Sequence, residues 1–356
     1  MQRIELSYPS RDGASTVHAL LWLPDAAAGA GGTADPVSSA APSPVPAAIP
    51  RGLVQIVHGM SEHIGRYERF AVFLTAQGFA VCANDHVGHG KTAGARGELG
   101  HIPLKNGADV LVEDVHELRQ RALRELVGCG RGGDEGIGIA SPDTLPYVIF
   151  GHSMGSFITR VYLTRHAFGV RAAVICGTGQ QSPVLTAAGR LLTDVLARVH
   201  GDHGNRGARG ERHRSALVHA MGVGAFARSV RGARTEADWI ATDPAVVDAY
   251  NADPLCGQVF TVGGYHTVSA LAAAAQNRTL AAQIPHSLPM LFIAGDRDPV
   301  GGYGTGVRRA AEEYRRVGVE RVDVKLYPGY RHEILNEPCR DQVQADVLAW
   351  LEACRL

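Results

Sequence analysis

Short apolar runs and amphipathic stretches take turns along most of this chain. Residues 53–58, 79–84, 147–151, 172–176, 290–294 and 322–326 are short, rich in apolar side chains and bounded by turn-forming or polar residues. Runs of that length and composition predict buried strands. Between or after them, residues 67–77, 108–127, 154–166, 307–317 and 341–353 repeat apolar positions every three or four residues, which predicts helices with one buried face. This alternation makes parallel strands joined by crossover helices, so the predicted class is α/β. Two more strand-like runs open the chain at 4–8 and 16–23, and Arg11-Asp12-Gly13 between them supplies the turn of an antiparallel hairpin.

The alternation breaks once. Across residues 178–280 there is no clear buried strand, only Ala- and Leu-rich helical stretches such as 184–199, and the expectation is a helical cap inserted between two parts of one core, 1–177 and 281–356. On the helix at 184–199, Leu185, Leu191, Leu192, Val195, Leu196 and Val199 can share a face, with Phe226, Trp239 and Phe260 adding aromatic bulk. That face either packs the cap onto the core or lines a path for substrate. Residues 24–50 are almost all Ala, Gly, Pro and Ser, too little apolar surface to offset the entropy of ordering them, which predicts a flexible surface loop. It is no domain boundary, because the strand at 53–58 still needs partners. Residues 128–144 predict a second, Gly-rich loop.

Composition narrows the function classes. A chain of 356 residues, 45% of them hydrophobic, can bury a large core. Lysine plus arginine (35) balances aspartate plus glutamate (35), so no global field would gather nucleic acid or anionic lipid. Cys82, Cys129, Cys176, Cys256, Cys339 and Cys354 are scattered without a C-x-x-C pair, so free thiols and a reducing compartment are expected. The N-terminus lacks the features of a signal peptide, and no run approaches the roughly 18 apolar residues of a spanning helix. The expectation is a cytoplasmic protein, with the cap as the place for any peripheral contact with a membrane.

The sharpest local feature is Gly151-His152-Ser153-Met154-Gly155, a G-x-S-x-G. With 43 glycines in the chain the motif alone is weak. Its position at a strand-to-helix turn is informative, since such a turn lifts the serine hydroxyl out of the sheet. The N–H of Met154, at the start of the helix, then faces any oxygen gaining charge beside Ser153. A serine needs a base and an orienting acid, here expected in the chain order Ser, Asp, His. The strand at 290–294 leads into Gly295-Asp296-Arg297-Asp298, and the strand at 322–326 into Tyr330-Arg331-His332. Both loops follow the carboxyl ends of parallel strands, where α/β sheets bind ligands. Asp298 is the expected acid, with Asp296 holding the loop through backbone hydrogen bonds, and His332 is the base. Val57-His58-Gly59-Met60 follows the first long parallel strand, and Met60 is expected to donate the second oxyanion N–H. The histidines at His86 and His89 lack a third ligand, and His200, Asp202, His203 and His213 read as a polar loop. No metal or other cofactor is expected.

Several of these segments, taken in order, resemble the monoacylglycerol lipase and bacterial lysophospholipase family: the run from His58 to Tyr67, the run from Asn84 to Gly90, Gly151 to Gly155, Tyr250 to Leu255, and the Asp298 and His332 segments. The resemblance implies an eight-stranded, mostly parallel α/β-hydrolase sheet, a helical cap, Ser153, Asp298 and His332 as triad, Met60 and Met154 as oxyanion donors, and hydrolysis of single-chain lipid esters. A short-chain carboxylesterase, a thioesterase, an aminopeptidase or a ligand-holding receptor are the alternatives on the same scaffold.

Overall fold

The computed structural model describes residues 1–25, 49–94, 98–127, 144–201 and 210–356, so the loops expected at 24–50 and 128–144 lie almost wholly outside the described residues. The strands are β1 (Gln2–Pro9), β2 (Thr16–Leu23), β3 (Leu53–Val57), β4 (Ala80–Asn84), β5 (Tyr147–His152), β6 (Val170–Cys176), β7 (Met290–Gly295) and β8 (Val322–Tyr327). They form one sheet in the order β1-β2-β4-β3-β5-β6-β7-β8. β2 runs antiparallel to both β1 and β4, and the other pairs are parallel. Every expected strand is present, as are the helices α1 (Glu68–Ala76), α2 (Gly107–Val127) and α3 (Met154–His166).

Side chains alternate across the sheet and build a core on each face. From β3 and β5, Leu53, Val57, Tyr147 and Ile149 join one apolar cluster with residues of α2 and α3. Val54, Ile56, Val148 and Phe150 join the other, with α1. Gln55 is a polar residue in the central strand, and its amide is satisfied there. It donates to Val115 O (2.8 Å) and accepts from Tyr147 Oη (2.8 Å).

β3 lies between β4 and β5, so the chain leaves it first to one side and then to the other. Such a reversal opens a crevice beyond the carboxyl ends of the two strands. Here that crevice receives His58-Gly59-Met60 and Ser153.

Between β6 and β7 the described chain is helical: α4 (Pro183–Val199), α5 (Ala216–Met221), α6 (Val223–Ser229), α7 (Pro244–Ala252), α8 (Val262–Ala275) and α9 (Arg278–Ala281). The last helices, α10 (Thr305–Arg316) and α11 (Arg340–Ala353), flank β7 and β8. The face expected on α4 is divided. Thr186, Thr193 and Ala197 are its buried residues, with the helix packed on α8, whereas Leu185, Leu191, Val195 and Val199 are exposed and only Leu192 and Leu196 rest on the core. Small residues set this packing, because helix axes approach closely only where side chains are short. Phe260 is fully buried against His89 and Tyr265.

Phe150 is fully buried on β5, three residues before Ser153, with its ring 5.1 Å from that of Phe70. Phe150→Ala should lower unfolding stability by about 3–5 kcal/mol, through lost transfer energy and the cavity left behind. Urea unfolding followed by circular dichroism checks this value.

Candidate active site

Ser153 stands between β5 and α3 with φ 54° and ψ −121°. For a non-glycine residue such backbone costs on the order of 1–3 kcal/mol, so its surroundings must impose it. Ser153 N–H donates to Cys176 O (3.0 Å) at the end of β6. The two glycines of the motif do not carry the bend: neither has a positive φ. They permit close approach instead. A Cβ on Gly155 would come within 2.0 Å of Val57 O, and one on Gly151 within 2.3 Å of Thr159 Oγ1. The start of α3 thus lies directly on the end of β3.

Asp298 and His332 come from the loops after β7 and β8, and they meet. His332 Nδ1 donates to Asp298 Oδ2 at 2.8 Å, and Asp298 Oδ1 accepts Val300 N–H (2.8 Å). Both side chains are buried. Asp296 points elsewhere, accepting Gly329 N–H at 2.7 Å and tying the two loops together. His332 Nε2 is buried and makes no hydrogen bond to any described atom, Ser153 Oγ included, yet both residues line the same cavity. Hydrogen bonds of this kind are often long before substrate binds. Met154, the first residue of α3, has no helical carbonyl for its N–H, and Met60 follows Gly59 at the end of β3; both line that cavity too.

Beneath these groups lies a charged set that sequence reasoning missed. Glu62 Oε1 accepts from Gly59 N–H and from Tyr67 Oη (2.8 Å), and faces His152 Nδ1 at 3.3 Å. Arg66 lies between Glu62 and Glu333, pairing with both. Burial alone would raise the Glu62 carboxyl, but the hydrogen bond and charge of His152, with Arg66 and Tyr67, pull it down to about 2. Burial alone would lower His152, and the Glu62 hydrogen bond and charge outweigh it, so its proton is held more tightly than usual. The residue types were visible in the run from His58 to Tyr67, but no periodicity marks a pair 90 positions apart.

His58, His86 and His89 pack together, with ring centroids of His58 and His86 4.1 Å apart, and burial together with mutual repulsion lowers the affinity of His58 for a proton and brings His86 to about 3. His200 and His213 stack at 3.8 Å, whereas Asp202 and His203 lie outside the described residues. Among the described residues, His63, Asp253 and Cys256 bring three possible metal ligands within 4.8 Å. His63 Nδ1 accepts Gly65 N–H (3.2 Å), which leaves the proton on Nε2, where it is donated to Asp253 (2.9 Å). A cation there would need that proton removed and would face the Arg66 guanidinium, 3.9 Å from Cys256 Sγ.

The cavity over Ser153 has a volume of about 470 Å³. Its walls are mostly apolar, with Phe157, Leu192, Phe226, Trp239 and Val268 among them, and Trp239 packs 5.0 Å from the His332 ring. Leu185 and Met221 line it and are also more than half exposed, which places its mouth beside α4 and α5.

Comparison with known proteins agrees with this architecture. The Hydrolase_4 family, described as serine aminopeptidase, S33, matches residues 48–339. A monoacylglycerol lipase of Mycolicibacterium smegmatis is 30% identical over 313 residues, covering 85% of this chain and 88% of that protein. Among solved structures, a thermostable carboxyl esterase from Bacillus coagulans in complex with glycerol superposes with a TM-score of 0.80 at 29% identity, covering 100% of both chains. A lipase in its open form superposes with a TM-score of 0.76 at 26% identity over 99% of each. The eight-stranded sheet, the serine at its strand-to-helix turn and a match over most of the length together mean that the chain belongs to the Hydrolase_4 family of α/β-hydrolases, with monoacylglycerol lipases among its relatives.

Proposed function

We propose that this protein is a serine hydrolase that cleaves carboxylic esters of single-chain lipids, a monoacylglycerol or a lysophospholipid, through an acyl-enzyme. The observation that carries the reading is the shared cavity of Ser153 and His332, with His332 Nδ1 held by Asp298 so that Nε2 faces the site. Ser153 Oγ attacks the ester carbonyl carbon while its proton passes to His332 Nε2. Asp298 stabilises the imidazolium, and the N–H groups of Met60 and Met154 take the charge that develops on the carbonyl oxygen. Collapse breaks the bond to the alcohol oxygen, which leaves with the proton from His332. Water, deprotonated by His332, then attacks the acyl carbonyl and frees the acid and Ser153.

The substrate class rests on the apolar cavity and on the relatives, a monoacylglycerol lipase and a carboxyl esterase among them. Residues 178–280 act as the cap over the site. The outward apolar face of α4, with Val184, Leu191, Val195 and Val199 exposed on a helix whose Leu185 lines the cavity, supports peripheral contact with a lipid surface. Among the described residues no helix is long and apolar enough to cross a membrane, and five free cysteines fit a cytoplasmic location.

Ser153→Ala and His332→Ala should each lower kcat/KM by at least about a thousandfold, with the double variant hardly worse than either, because the groups act as one unit. Asp298→Asn should fall by a similar order and Asp296→Asn by less than about tenfold. Steady-state kinetics on a soluble aryl ester and labelling by a fluorophosphonate probe measure both; an active Ser153→Ala would remove the whole reading.

On monoacylglycerols of increasing acyl length, kcat/KM should climb and then level off when the cavity is full. Each buried methylene contributes about 0.8 kcal/mol, or close to fourfold before entropy losses. Rates across the series, below the aggregation limit, with matched thioester and amide substrates and a diacylglycerol control, test this. A flat profile would point to a short-chain carboxylesterase, and preference for the amide to the aminopeptidase activity in the family's description.

A further inference from the structure

His152 is the residue before Ser153, and both of its ring nitrogens face oxygens. Nδ1 lies 3.3 Å from Glu62 Oε1, and Nε2 lies 3.3 Å from the carbonyl oxygen of His332. Neither oxygen can donate: the first belongs to a carboxylate already accepting from Gly59 N–H and Tyr67 Oη, the second to a peptide. A neutral ring would set one nitrogen lone pair against an oxygen lone pair in a buried site. Only the imidazolium satisfies both contacts.

The surrounding charges fit that state. Glu62, Arg66 and Tyr67 approach from the segment after β3, Glu333 and His332 from the loop after β8, and the Cys176 thiol from the end of β6. Two carboxylates, Glu62 and Glu333, then balance two cations, Arg66 and His152. With His152 neutral, the buried set would carry an uncompensated negative charge, which a low-dielectric site strongly disfavours.

Three parts of the site are joined through this ring. Glu62 holds Gly59 N–H, which fixes the turn that presents Met60; His152 adjoins Ser153 in the chain; and its Nε2–H holds the carbonyl of His332, whose ring lies 4.7 Å away. We propose that His152 is a positioning residue that works as an imidazolium at neutral pH, with Glu62 as its counter-ion, clamping the Met60 turn and the His332 loop at their working separation. The proposal rests on Ser153, His332 and Met60 having the roles given above. Loss of the His152 proton at alkaline pH releases the His332 carbonyl, so turnover falls by more than substrate binding does, although both residues also line the cavity.

The test combines protonation and kinetics on the full chain. Nitrogen-15 imidazole spectra, with His152 assigned through its own backbone, should show both ring nitrogens protonated at neutral pH. His152→Gln and Glu62→Gln should each lower kcat by about ten- to a hundredfold with KM within about twofold, and the double variant should be no more than a few-fold worse than the poorer single one. The alkaline fall of kcat in the wild type should be absent in His152→Gln. A neutral His152 at neutral pH, an alkaline limb that persists in His152→Gln, or losses that multiply would each overturn the proposal. If either variant fails to fold, the wild-type spectrum alone decides. Fluorophosphonate labelling that persists in Ser153→Ala would instead sink the assignment of the nucleophile, whatever the charge on His152.

Discussion

The contact between the start of α3 and the end of β3 is the constraint from which the site follows. A side chain at position 155 would collide with the β3 backbone, Val57 O lying 2.0 Å from where its Cβ would be. Because only hydrogen occupies that place, the helix can descend onto the strand, and Ser153 is left in a conformation that non-glycine residues rarely adopt. The close approach brings the start of α3 and the Gly59-Met60 turn to the two sides of one crevice. Gly59 has the same restriction from the other direction, since a Cβ there would lie 2.9 Å from that of Ser153. Two backbones pressed together leave the N–H groups beside the crevice little room to move.

Rigidity of the backbone does not by itself place the imidazole. His332 rides on a loop of its own, and what anchors that loop is polar. Asp298 holds one ring nitrogen, Asp296 ties the loop to the turn after β7, and Glu337 accepts the N–H of Arg331 (2.8 Å). The set of Glu62, His152 and Glu333, all buried, with the half-buried Arg66, connects this loop to the segment after β3. Burying four charges costs solvation, and their mutual attraction offsets it only when the geometry is kept. Such an arrangement gains specificity of structure more than stability, which is what a reaction needing several groups in register requires.

The helices between β6 and β7 are joined to the same segment. Ser61 O accepts from Gly257 N–H (3.0 Å) and Tyr250 Oη (3.0 Å), and Ser61 Oγ donates to Gln258 O (2.8 Å). His63 reaches Asp253, also at the end of α7. The walls of the cavity and the segment after β3 are therefore built on shared hydrogen bonds, so the shape of the cavity is coupled to the position of the Gly59-Met60 turn. α4 sits farther out, with small residues toward α8 and its larger apolar residues toward solvent.

Much of this was legible in the chain. Apolar runs and their spacing located every strand, the helices that flank the sheet and hence the loops that carry Ser153, Asp298 and His332, because a strand or an amphipathic helix writes its period into neighbouring residues. The turn chemistry of Arg11-Asp12-Gly13 likewise announced the hairpin. Tertiary structure decided what depends on direction and distance between segments far apart in sequence. Two residues separate Asp296 from Asp298, yet only one carboxylate turns toward His332, because the loop's path sets where each side chain points. The glycines of the motif act through clearance above β3 rather than through the bend, which no local pattern expresses. α4 buries its small face, since its packing partner α8 lies some 70 residues on. The charge on His152 depends on a carboxylate 90 residues earlier and a carbonyl 180 residues later, and only the folded chain brings those oxygens to one ring.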